Sequence, residues 1–97
     1  MEYIIPKKYQ KDIEIAANLL KNDGCKSVYL FGSLVTGKNH EFSDIDIGIR
    51  GLPEGKYFGI CSKVYFSVDH NIDIVDFDIN VELYDLLNRQ GELIEIG

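Results

Sequence analysis

The sequence predicts a single α/β domain spanning residues 1–97, and three observations carry that expectation. Segments with helical spacing of apolar side chains alternate with short β-branched and aromatic runs, in the order α-β-(α)-β-α-β-α-β. Glycine or proline marks the junctions, at Pro6, Gly24, Gly51, Pro53, Gly55 and Gly91. No repeat, low-complexity tract or linker divides the chain. A domain of this size buries roughly 60–65% of its unfolded surface, enough for one modest core.

The first helix is read over 7–22, where Tyr9, Ile13, Ala16, Ala17 and Leu20 fall on one face between Pro6 and Gly24. SVYLF, residues 27–31, is a compact buried strand. A single helical turn and the polar KNHEFS then lead to DIDIGIR, residues 44–50. Its strict alternation sends Ile45, Ile47 and Ile49 to one face and Asp44, Asp46, Gly48 and Arg50 to the other. A second helix starts at Tyr57 and carries Ile60, Cys61, Val64 and Val68 inward, despite Gly59. IDIVDF, residues 72–77, is the third strand. Asn80 stands at the cap of a third helix bearing Leu83, Leu86 and Leu87, and ELIEI forms a short edge strand.

Charge and composition exclude several classes. A net charge of −6 and a pI near 4.7, with scattered basic residues, make a polyanion a poor partner, so direct nucleic-acid binding is not expected. No run approaches the roughly 20 apolar residues that span a bilayer, and MEYIIPKKYQ lacks a long apolar core and a cleavage pattern. The expected compartment is the cytoplasm, with Cys25 and Cys61 as buried, reduced thiols and a single disulfide between them as the alternative. His40 and His70 have no partner at ligand or triad spacing and read as ordinary loop histidines. The six tyrosines read mostly as packing.

Two phosphate-binding readings compete at FGSLVTGKN, residues 31–39. From Gly32 the letters run G-x-x-x-x-G-K, but Asn39 stands where a metal-holding hydroxyl belongs, and too few residues follow to build a helix before the next strand. That reading fails. The other is Gly-Ser, ten residues, then Asp44-x-Asp46. Gly32 lets backbone approach a ligand, and Ser33 offers a hydroxyl beside the first N–H groups of a short helix. Gly48 continues the Asp face without a side chain, leaving room beside the carboxylates. Asp is a poor strand former, and like charges facing each other on neighbouring strands destabilise. Bound cations reverse that sign, and oxygen-rich sites of this kind suit Mg²⁺.

FGSLVTGKNHEFSDIDIGI resembles the signature of the nucleotidyltransferase superfamily, whose palm-like core is shared with DNA polymerase β. IDIVDF followed by LLNRQGELIEI is similar to the minimal nucleotidyltransferases, small proteins paired with HEPN-domain toxins. The resemblance implies a mixed β-sheet with helices mainly on one face. It implies Mg²⁺, as two ions, held by Asp44, Asp46 and Asp73, and the phosphates of ATP bound by Gly32 and Ser33. Asp73 is then the third carboxylate, preparing the acceptor hydroxyl. The resemblance selects Asp73 over Asp76, because the family pattern places the third Asp inside the apolar strand, here between Ile72 and Ile74, and period-2 counting puts Asp76 on the opposite face near the strand's end. One departure is that Leu34 and Val35 follow Gly-Ser where members often carry basic residues, leaving Lys38 or Arg50 to balance the triphosphate.

The implied reaction is transfer of AMP from ATP to a hydroxyl, with release of pyrophosphate. The length leaves no acceptor-binding domain, so the acceptor is expected in trans. The resemblance implies a tyrosine of a HEPN toxin, silenced by this chain as antitoxin. A different class of function is a non-catalytic module of the same fold that neutralises its partner by contact. A third is small-molecule transfer by a homodimer with the acceptor pocket between protomers.

Overall fold

The computed structural model describes residues 5–38 and 44–97, so Tyr3, Asn39, His40 and most of KNHEFS lie outside the described residues. Four strands, β1 (Ser27–Phe31), β2 (Ile45–Arg50), β3 (Ile72–Asp76) and β4 (Ile94–Glu95), form one sheet in the order β3-β2-β1-β4. The helices are α1 (Lys7–Asn22), α2 (Ser33–Thr36), α3 (Tyr57–Ser67) and α4 (Val81–Gln90). This is the element order expected from the sequence. The sheet is mixed: β1 runs antiparallel to β2 and β4, while β2 and β3 are parallel. A parallel neighbour requires a crossover connection, and α3 supplies it.

Alternation within each strand decides what each sheet face meets. Val28 and Leu30 of β1 and Ile45, Ile47 and Ile49 of β2 are buried against Tyr9, Ile13, Ala16 and Leu20 of α1 and Ile60 and Val64 of α3. Each Val, Leu or Ile side chain buried this way contributes on the order of 1.5–3 kcal/mol relative to exposure. This face holds the main core, so α1 and α3 sit on one side. The short β4 is tied to β1 by its strand pairing and by the Ile96 N–H bonding to the Val28 carbonyl.

The opposite face is covered differently. Tyr29, Phe31, Phe77 and Tyr84 of α4 form a contiguous set of rings, with Phe77 to Tyr84 at 5.4 Å and Phe31 to Phe77 at 5.5 Å between centroids. Gly48 lies under this cluster, and a Cβ there would overlap the Phe77 ring. The room that Gly48 leaves on the Asp face is therefore filled by a buried aromatic side chain rather than left open beside the carboxylates. Arg50 stands at the same end, with its guanidinium 4.5 Å from the Tyr84 ring and 3.6 Å from Asp78. Asn80 occupies the cap position of α4, but its amide donates back to the Asp76 carbonyl instead of accepting from the helix.

A buried carboxylate joins α1 to the turn before β3. Asp12, 3% exposed, accepts from the backbone N–H groups of Asp69 and His70 and lies 2.6 Å from His70 Nδ1. Burial alone would raise its pKa, but these hydrogen bonds and the imidazole hold it below the ordinary carboxylate value. His70 therefore has a partner that spacing in the chain did not reveal. The two residues are far apart in sequence, and the contact forms only when α1 lies across the α3–β3 turn.

Candidate active site

The site is assembled at one end of the two central strands and at β3. Register pairs Phe31 of β1 with Asp46 of β2, and Asp46 with Asp73 of β3. Paired residues on neighbouring strands point to the same face and stand about 4.8 Å apart, which brings the Asp46 and Asp73 carboxylates side by side. Asp44 lies just before β2 and is exposed. Asp76 pairs with Ile49 and thus lies on the isoleucine face, where its carboxylate accepts the Asp78 N–H in a tight turn. Asp46 and Asp73 share a face; Asp76 does not share it.

Gly32 meets the pair from the other side. Its backbone, at φ 79° and ψ −153°, leaves β1 in a conformation that L side chains rarely adopt. A Cβ there would overlap the Asp46 carboxylate. Glycine is required at this position for two reasons, the positive φ and the close approach. Ser33 follows as the first residue of α2 and is half-buried. The helix ends after one turn at Gly37, whose φ of 79° and ψ of 10° place it in the left-handed region. Leu34 and Val35 are buried and anchor α2 to the core.

The electrostatics follow from this crowding. Desolvation, then the charge of Asp73, then that of Asp44, pushes Asp46 up to about 6. A half-buried carboxylate facing two others is costly to ionise unless a cation arrives. Among the described residues, no three carboxylate, histidine or thiol groups converge tightly enough to chelate a metal by themselves. Lys38, just after α2, is exposed. Arg50 is at the far end of β2, about 13 Å along the strand from Asp46, and is engaged with Tyr84 and Asp78. It does not balance charge at the carboxylates.

Beside Asp46 and Asp73 opens a groove of about 860 Å³, floored by 72–75 of β3 and walled by α3 and Leu83 of α4. Its wall was not foreseen from the sequence. Tyr57 hydrogen-bonds the Ile74 carbonyl at 2.6 Å, as a packing residue would, but Tyr65 is 65% exposed and does not serve the core. The signal that could have shown this is the composition of α3, which carries aromatic residues outside its Ile60–Val64 stripe. Cys25 is buried and Cys61 partly so, and both are free thiols.

Residues 13–95 match the model of the family "Polymerase beta, Nucleotidyltransferase". A solved toxin–antitoxin with AMP-PNP is similar over 70% of this chain and 56% of its own, with 29% identity and a TM-score of 0.54. A mutant of the toxin–antitoxin MntA-HpeT, with two Asp-to-Glu changes, is similar over 69% of this chain and 57% of its own, with 26% identity and a TM-score of 0.53. This chain thus spans less than two thirds of either solved chain. No curated protein matches the sequence significantly.

Proposed function

Since the chain belongs to the polymerase beta nucleotidyltransferase family, we propose that it transfers AMP from ATP to a tyrosine hydroxyl of a partner protein, as the antitoxin of a HEPN toxin in the cytoplasm. The single observation that carries this reading is the pairing of Asp46 with Asp73 on one sheet face, with Gly32 pressed against Asp46. The two solved relatives support the setting: both are toxin–antitoxins, and one carries AMP-PNP.

The donor set fits Mg²⁺. Three acidic side chains in mutual repulsion, with Asp46 raised to about 6, are relieved by a hard cation. Asp44, Asp46 and Asp73 would hold it, as two ions in the arrangement that the resemblance implies. A preformed cage is not needed, because Mg²⁺ keeps several waters and takes phosphate oxygens from its substrate. When bound, it would neutralise the triphosphate and the developing charge at the α-phosphoryl group.

The chain's own residues do the rest. The Gly32 backbone and the Ser33 hydroxyl, at the open end of β1, receive the phosphates. Asp73 takes the proton of the acceptor hydroxyl as its oxygen bonds to the α-phosphorus. The bond from that phosphorus to the bridging oxygen breaks, and pyrophosphate leaves with the electron pair. The groove beside Asp73 admits the acceptor.

The test mixes the protein with Mg²⁺, α-labelled ATP and the protein encoded by the adjacent gene. Label is expected on that protein and is lost in Asp44→Asn and Asp46→Asn. Loss of transfer in Asp76→Asn, with Asp73→Asn unaltered, would reverse the third-carboxylate assignment. Absence of label, with full neutralisation of the partner by the Asp44→Asn/Asp46→Asn variant, would leave the contact-only reading standing instead.

A further inference from the structure

Helix α3 presents its large apolar side chains outward. Phe58 is 83% exposed, Phe66 84% and Tyr65 65%, while only Ile60 and Val64 of this helix are fully buried. At 150–250 Å² of surface per aromatic side chain, these three expose roughly 450 Å². That equals the largest apolar patch of a typical monomer and about half the ~800 Å² that each partner contributes to a standard interface. All three line the groove that ends at Asp46 and Asp73.

Charge selects the occupant. Among the described residues, the groove's lining includes two carboxylates and no lysine or arginine. Lys63, on the same helix, is turned away to Asp23 at 3.5 Å. Nucleic acid and anionic lipid surfaces both demand clustered cations, so neither suits this face. Aromatic anchors on a chain of net charge −6 instead suit a polypeptide with basic flanks. A second copy of this chain, also acidic at −6 net, is the poorer match.

We propose that the outer face of α3 and its groove are the docking site for the partner protein, filled by an apolar segment with basic flanks that carries the acceptor hydroxyl to Asp73. The inference rests on the reading that the acceptor belongs to a partner protein. It adds the surface that holds that partner.

The experiment measures binding by titration calorimetry between the adjacent-gene protein and this chain in an Asp44→Asn background, which keeps catalysis out of the readout. Adding Phe58→Ser and Phe66→Ser is expected to weaken binding at least 100-fold while the melting temperature holds, since both side chains are in water. Phe58→Tyr is expected to restore most of the lost affinity when Phe66 is kept. Affinity within threefold of the parent, or no binding by the parent itself, overturns the proposal. So does a wild-type dimer, seen by sedimentation, that the Phe58→Ser/Phe66→Ser pair converts to monomer. The transferase reading is scored separately by label transfer in the Asp44 parent sequence. Transfer with unchanged docking sinks only the docking site, whereas lost docking without any transfer sinks only the chemistry.

Discussion

Gly48→Ala tests how the structure uses the space on the Asp face. The added methyl would fall on the Phe77 ring, which is 1% exposed. That ring cannot simply swing away, because Phe31, Tyr29 and Tyr84 hold it at centroid distances of 5.5, 6.1 and 5.4 Å. Overpacking a filled core site costs about 1–3 kcal/mol, and disturbing an aromatic pair costs about 0.5–1.5 kcal/mol more. The expected loss is about 2 kcal/mol, which for a domain of this size lowers the melting temperature by roughly 8–16 °C. Thermal melts and urea titrations of Gly48→Ala, Phe77→Leu and the double variant measure it. The shorter Leu makes room for the methyl, so the double variant should cost about 1 kcal/mol less than the sum of the singles. If Gly48→Ala melts within about 2 °C of wild type but no longer binds ATP, the space serves a ligand and the packing argument is wrong.

Three further outcomes are expected. Gly32→Ala loses stability by about 1–3 kcal/mol, because the residue sits at φ 79° and its Cβ would overlap Asp46, and its ATP affinity falls with it; a wild-type melt would contradict the close approach. Asp46 has a folded pKa of about 6, above its unfolded 3.8, so the folded chain gains stability as pH falls from above 6 toward 4; removing the carboxylate with Asp46→Asn should raise the melting temperature at pH 8 in EDTA and lose that advantage near pH 4. Asp12 is the reverse case. Its pKa is lowered on folding, so its contribution is present above the unfolded value and is lost as pH falls through the folded one. Asp12→Ala should cost about 2–4 kcal/mol by leaving the Asp69 and His70 N–H groups without their acceptor, which chemical denaturation would register.

Elements and their order were legible because their cause is local. Apolar residues three and four apart make α1 amphipathic, and strict alternation in DIDIGIR separates the isoleucine face from the Asp face, whatever surrounds them. The same counting placed Asp73 and Asp76 on opposite faces of β3. The family match agrees with the resemblance carried by FGSLVTGKNHEFSDIDIGI. What counting within a strand cannot supply is the neighbour. Only the parallel register sets Asp46 beside Asp73, and only the turn at Gly32 brings the end of β1 against the Asp46 carboxylate.

The remaining features depend on contacts between residues distant in the chain, and there the sequence was silent or misleading. Gly48 looked like open space until Phe77, from beyond β3, filled it. Arg50 looked available to a triphosphate until the sheet placed it beside Tyr84 and Asp78. His70 looked unpartnered until α1 brought Asp12 to it, and Tyr65 looked like core until α3 turned it to water. The alternation of side chains along a strand is a property of its own backbone, so sequence determines which face a residue occupies. What that face meets is determined by packing across the sheet, and only the tertiary structure decides it.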